Sequence, residues 1–355
     1  MKKRFLIFCL LMSHPSFSAN IIVNSMGGGL GTNQLCSLRA AINAANTDQP
    51  FSACPAGSGN DVIILPEKET FRFFEVGGYN VGPAALPTIT STITIEGNGS
   101  TITRRKDAPN MRFFNVSGGV DGILTLKNIT LTGGYGDSNG GAINSYSSLI
   151  LDGVSVVNNY SEFSGGGIYC VNTYCEIKNS EIRGNSSAYG GGLNTTSSLI
   201  ITNTLFADNI ARVGFRLSGG AIFIGENNRG FHISNSTFSN NYSDNVGGIA
   251  IEGISQSVVG LLENLTITGN GIGLFVSDWY RKNPVLLKNS ILTNNDRFDC
   301  LSELVQSIGY NIIDNNSCEN VNTETDISNA SVQLSPLQDN GGQTHTHSIP
   351  HNSLA

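Results

Sequence analysis

Reactive and recognising side chains come close together at only a few places in this chain. His345, His347 and His351 lie within "HTHSIPH". Alternate histidines on a strand share one face, where neutral imidazoles bind metal; the plainer reading is a structural terminus. The stretch "SDWYRKNP" at 277–284 carries the only tryptophan. Trp279, Tyr280 and Arg281 are residue types that dominate recognition surfaces, so they are the candidate binding residues for a sugar or a protein. Their plainer role is to pack over the end of a structural unit. Arg212 and Arg216, in "ARVGFRLS", suit a solvated basic loop.

Carboxylates set the test for an enzyme. A polysaccharide lyase needs clustered acids for calcium and a base to abstract a proton. A glycoside hydrolase needs two carboxylates placed for acid and base work. Neither Asp-Asp nor Asp-x-Asp occurs. Asp152 and Asp208 hold different positions in the repeat described next, Glu252 and Glu263 are not one repeat apart, and Asp137 stands alone. The glycine-rich "GGGLG" at 27–31 lacks the strand-then-helix context of a dinucleotide site. No catalytic set, metal or cofactor is therefore assigned.

The elements that would position any site come from an internal repeat. Aligned on Asn128, Gly153, Asn179, Asn203, Asn235, Asn264 and Asn289, the units are spaced by 25, 26, 24, 32, 29 and 25 residues. Apolar residues stand two before that point (Leu126, Leu151, Ile177, Ile201, Ile233, Leu262, Leu287) and three after it (Leu131, Val156, Ile182, Phe206, Phe238, Ile267, Leu292). Six residues after it a second polar column runs through Gly134, Asn159, Asn185, Asn209, Asn241, Asn270 and Asn295. Glycine pairs then open the next apolar stretch, as at Gly140-Gly141 and Gly219-Gly220. A period of this length marks a stacked array. The alternation within units, as in Leu124 and Leu126, has strand periodicity. One such unit cannot bury enough apolar surface to stand alone, whereas stacking pairs every strand edge and covers the apolar column. The expected fold is all-β: a single-stranded parallel β-helix, right-handed by the usual crossover preference.

Within it, Asn128, Asn179, Asn203, Asn235, Asn264 and Asn289 are expected to form an inward structural ladder. Asn tolerates the left-handed conformation of tight corners, and stacked amides hydrogen-bond to one another. The coil is placed at residues 60–333. Residues 38–46, "LRAAINAAN", form the clear helical stretch, with Leu38, Ala41, Ile42 and Ala45 on one face; this helix, in an N-terminal cap at 19–59, covers the open end.

Residues 1–18 read as a secretory signal: Lys2, Lys3 and Arg4, an apolar run from Phe5 to Met12, and small residues before Ala19. Its loss takes the net charge from −7 to about −10, which disfavours nucleic acid as a partner. No stretch of the mature chain is long enough for a transmembrane helix. Six cysteines remain, and an even number in an exported chain suggests disulfides. Fifteen pairings are possible. Pairing of neighbours, Cys36–Cys54, Cys170–Cys175 and Cys300–Cys318, is the simplest.

Three stretches carry a resemblance to known families. "CSLRAAINAAN" at 36–46 resembles the CSLREA-type N-terminal motif of bacterial secreted β-helix proteins, with Ala40 in place of the acidic residue. "GGAI" at 140–143 and 219–222, with "FADN" at 206–209 and "FSNN" at 238–241, is similar to the GGA[ILV] and FxxN repeats of polymorphic outer-membrane proteins. Residues 334–355 resemble the terminal segment of choice-of-anchor Q proteins. The resemblance implies a bacterial β-helix exported to the cell envelope or medium, adhesin-like and non-enzymatic, that meets a glycan or protein surface. The alternative on the same pectate-lyase-like fold is a polysaccharide lyase or glycoside hydrolase.

Overall fold

The computed structural model describes residues 18–29, 34–119, 122–212, 217–226, 228–253, 259–277, 283–315, 317–321, 323–330, 332–351 and 353. It is a parallel β-helix. One coil runs through Ser148–Asp152, turns a corner into Ser155–Val157, passes the short Tyr160–Ser161 strand, and returns along Ile168–Cys170. The next coil lies on top in parallel register: Leu149, Leu151 and Val156 face Cys175, Ile177 and Ile182. Repeated along the axis, the first two legs make one 20-stranded sheet that bends at the corner, while the later legs make sheets of five and eight strands.

The inward columns are the apolar ones. Leu126, Leu151, Ile177, Ile201, Ile233, Leu262 and Leu287 stack in register, and all are buried in a single core. Phe206 and Phe238 stack with centroids 5.3 Å apart. Outward on the first leg runs a line of alternating charge, Glu96, Lys127, Asp152 and Lys178. Lys127 meets Glu96 at 2.7 Å and Lys178 approaches Asp152 at 3.7 Å.

The helix, α1, spans Leu38–Thr47; Ser37 caps it by accepting from the Ala40 N–H. Its buried face joins the core of Ile63, Phe71 and Ile93. Arg39 ties it to the coil through the Ala85 carbonyl and Glu75. The sheet itself begins earlier than residue 60: Asn20–Ile22 pairs in parallel with Asp61–Ile64. Cys36–Cys54, whose Cα atoms are 4.8 Å apart, closes the loop that carries the helix.

Two expectations need correction. The first concerns the ladder. Asn128, Asn179, Asn203, Asn235, Asn264 and Asn289 all have positive φ, between 46° and 55°. However, five of them are exposed and Asn179 is half-buried. Strict alternation after Leu124 and Leu126 would send residue 128 inward, but the left-handed corner resets the phase, so that Ile129 and Leu131 point in instead. The exposed amides still touch in places, as Asn264 Nδ2 donates to Asn235 Oδ1 at 2.9 Å. The inward ladder is the second column. Asn159, Asn185, Asn209, Asn241, Asn270 and Asn295 are all buried, and Asn159, Asn185, Asn209, Asn241 and Asn270 each donate both Nδ2 and backbone N–H to the Oδ1 of the next. This satisfies polar groups that the corner would otherwise leave buried and unpaired.

The second concerns the cysteines. Cys300–Cys318 is bonded, with Cα atoms 5.2 Å apart. Cys170 and Cys175 are instead free thiols, both buried, on the inner columns either side of a corner. The hydrogen bond between them, then burial, push the Cys175 thiol well up, which keeps it protonated.

The glycine pairs sit where the coils approach most closely. A Cβ on Gly166 would press on the Gly191 carbonyl of the next coil, so stacking excludes any side chain there.

Candidate functional site

Trp279, Tyr280 and Arg281 lie outside the described residues. The described strands nearest to them in the chain are Ile272–Val276 and Val285–Lys288. Arg212 is exposed; Arg216 also lies outside the described residues. His345 and His347 do come together with the coil, but each contacts a different turn of it.

The C-terminal stretch folds as a hairpin: Gln338 and Thr346 exchange backbone hydrogen bonds, and the Ser335 N–H donates to the Ser348 carbonyl. Its second strand crosses the outer face of the second leg. The His345 N–H and Nδ1 lie 3.0 and 2.6 Å from Glu181 Oε1. Two residues on, His347 Nε2 lies 2.9 Å from Ser239 Oγ, and its Nδ1 lies 2.7 Å from the Ser335 carbonyl. Ile349 reaches the coils of Asn264, Asn289 and Tyr310. An extended chain rises about 3.3 Å per residue and coils repeat at about 4.8 Å, so this strand passes one coil every one to two residues. Leu205, Ala207, Thr237 and Ser239 are buried although they alternate with the inward Phe206 and Phe238. The tail crosses this face, bonded to Glu181 one coil before Leu205 and to Ser239 one coil after it.

Beside the tail lies an open depression of about 290 Å³, lined by Asn128, Asp152, Gly153, Ser155, Asn179, Glu181 and Gln343. Here two carboxylates, Asp152 and Glu181, share one concavity, with Lys178 and His345 next to them. Sequence reasoning missed Glu181, because the His345 that reaches it is 164 residues distant. Both carboxylates are already engaged within the chain. Asp152 Oδ1 accepts from Asn179 Nδ2 at 2.8 Å, and Glu181 holds the tail. Asp208 sits at the other corner, paired with Arg183 at 2.9 Å; Glu263 is paired with His232 at 2.7 Å. Among the described residues no group of three or more His, Cys, Asp or Glu side chains is arranged to hold a metal.

Aromatic rings stand on the legs that follow. On the short leg Tyr135 and Tyr160 stack on successive coils, with centroids 4.9 Å apart. Loss of hydration, then the hydrogen bond to Glu162, raise the Tyr135 hydroxyl above its ordinary pKa. At the following corner Phe163 and Tyr189 stand on successive coils with centroids 5.9 Å apart, and Phe223, on the returning strand of the coil after, lies 6.4 Å from Tyr189. Phe163 is 60 % exposed. Phe223 is outward on its strand and packs against Val246, Ala250 and Ile272. No local signal marks these rings, since residues 163, 189 and 223 come together only once the coils are stacked.

No family model matches the chain, and neither a curated protein nor a solved structure is significantly similar to it. Among the described residues no helix is long and apolar enough to cross a membrane.

Proposed function

We propose that this is an exported bacterial β-helix protein of the cell envelope or medium, adhesin-like and non-enzymatic, which uses its long sides to contact a glycan or protein surface. Two disulfides fit an oxidising compartment, and the resemblance to CSLREA-type and choice-of-anchor Q proteins points the same way. One observation carries the non-enzymatic reading. The two carboxylates that share a depression are tied up by Asn179 and by the chain's own tail, whereas a general acid and base need free access to substrate. Incubation with neutral and acidic polysaccharides, read by ultraviolet absorbance for lyase products and by reducing ends for hydrolysis, is expected to yield no product. Product formation would overturn the proposal.

The shared depression favours one second reading, a carbohydrate-active enzyme at Asp152 and Glu181. On that reading Glu181→Gln abolishes a measurable activity while the fold is retained.

A further inference from the structure

We propose that the aromatic run Phe163–Tyr189–Phe223 is a binding strip for a neutral pyranose polymer lying obliquely across three successive coils. The inference rests on the surface-contact reading above and names its ligand. A sugar ring presents polarised C–H groups on one face, and the negative face of an aromatic quadrupole attracts them. Phe163 and Tyr189 hold equivalent positions on successive coils, and Phe223, in register with Asn194, sits to one side on the next, so a linear polymer crossing the coils obliquely meets one ring per coil. Phe223 is braced by Val246, Ala250 and Ile272, and that support holds the strip in place without ordering on binding.

Charge beside the strip selects the class of polymer. Extending the register of the short strands puts Asp137, Glu162, Ala188, Arg212 and Asp244 in one column next to the rings. Arg297 stands beside Asp244 at the far end, but Asp137 and Glu162, next to Phe163, keep that end of the strip negative and repel a uronate or sulfated chain. A neutral chain carries no such penalty, and its hydroxyls find partners in the polar residues alongside, Ser138 and Asn139 on the preceding coil.

The test is affinity electrophoresis of the full mature chain in gels containing xyloglucan, mannan or dextran, with polygalacturonate and alginate as acidic probes, together with pull-down on cellulose and chitin. The expected result is retardation by at least one neutral polymer and by neither acidic one. Phe163→Ala with Tyr189→Ala should weaken it at least tenfold. Tyr310→Ala, a 62 % exposed ring elsewhere, should leave it unchanged. Because Phe163 stands mostly in solvent, Phe163→Ala alone serves if the double variant loses its circular-dichroism signature. Binding that survives the ring substitutions, binding only to acidic polymers, or no binding to any of these polymers overturns the strip. Adhesion to protein-coated surfaces without glycan binding would refute the strip and leave the surface-contact reading standing; release of cleaved sugars would refute that reading itself.

Discussion

Substituting asparagines in the two columns separates a buried ladder from an exposed one. Asn209 is fully buried. Its Nδ2 donates to the Ile182 carbonyl at 2.8 Å and to Asn241 Oδ1 at 2.9 Å; its Oδ1 accepts from the Asn185 N–H and Nδ2, each at 3.0 Å. Asn209→Leu keeps the branched shape and leaves the Asn185 N–H and one Asn185 amide hydrogen facing a methyl group. Each orphaned buried donor costs roughly 1–3 kcal/mol, giving a loss of about 2–6 kcal/mol. Asn203 is exposed and makes a 3.2 Å contact with Asn179; its φ of +50° is the demanding feature. Asn203→Gly removes the amide and keeps the left-handed corner, as Gly153 does two coils away at φ +67°. The expected change is within about 0.5 kcal/mol. Urea unfolding followed by far-ultraviolet circular dichroism measures both. Equal losses for the two variants, or less than about 1 kcal/mol for Asn209→Leu, would refute the assignment of the load to the inner column.

Three further outcomes are expected. Alkylation followed by mass mapping should find Cys36–Cys54 and Cys300–Cys318 bridged, with Cys170 and Cys175 modified only in denaturant; a third bridge would contradict the buried thiol pair. Removing residues 334–355 uncovers Leu205, Ala207, Thr237 and Ser239, so hydrogen exchange of Leu205–Ala207 and Thr237–Ser239 should accelerate while distant coils such as Ile93–Ile95 stay protected; unchanged exchange would mean the tail does not cover them. Burial raises the Asp299 carboxyl, against hydrogen bonds from Asn295 and the Asn315 N–H. The native state thus favours the protonated form. The stability this adds is complete below the unfolded carboxylate pKa of about 4 and disappears as pH rises through the higher folded value. The stability of Asp299→Asn relative to wild type should therefore improve between pH 3 and pH 7, and a difference that stays flat with pH would dismiss the coupling.

The order of residues alone determined the architecture. The recurring apolar pairs around Leu126 and Leu131 dictate strands, and a unit of about 25 residues too small to stand alone dictates stacking, so the parallel coil and the helix at 38–47 were both legible. The left-handed corners were legible too, because only Asn, Asp and Gly accept that backbone cheaply. The inner ladder was not. Two asparagine columns share one spacing, and which of them faces inward depends on a phase reset at residue 128 that only the folded backbone displays. The pairing of Glu181 with His345 and the meeting of Phe163, Tyr189 and Phe223 are likewise decided in three dimensions. Local sequence sets the conformation of each coil, but contacts across coils, and between the coil and a tail that returns over it, arise only from how the whole chain is stacked.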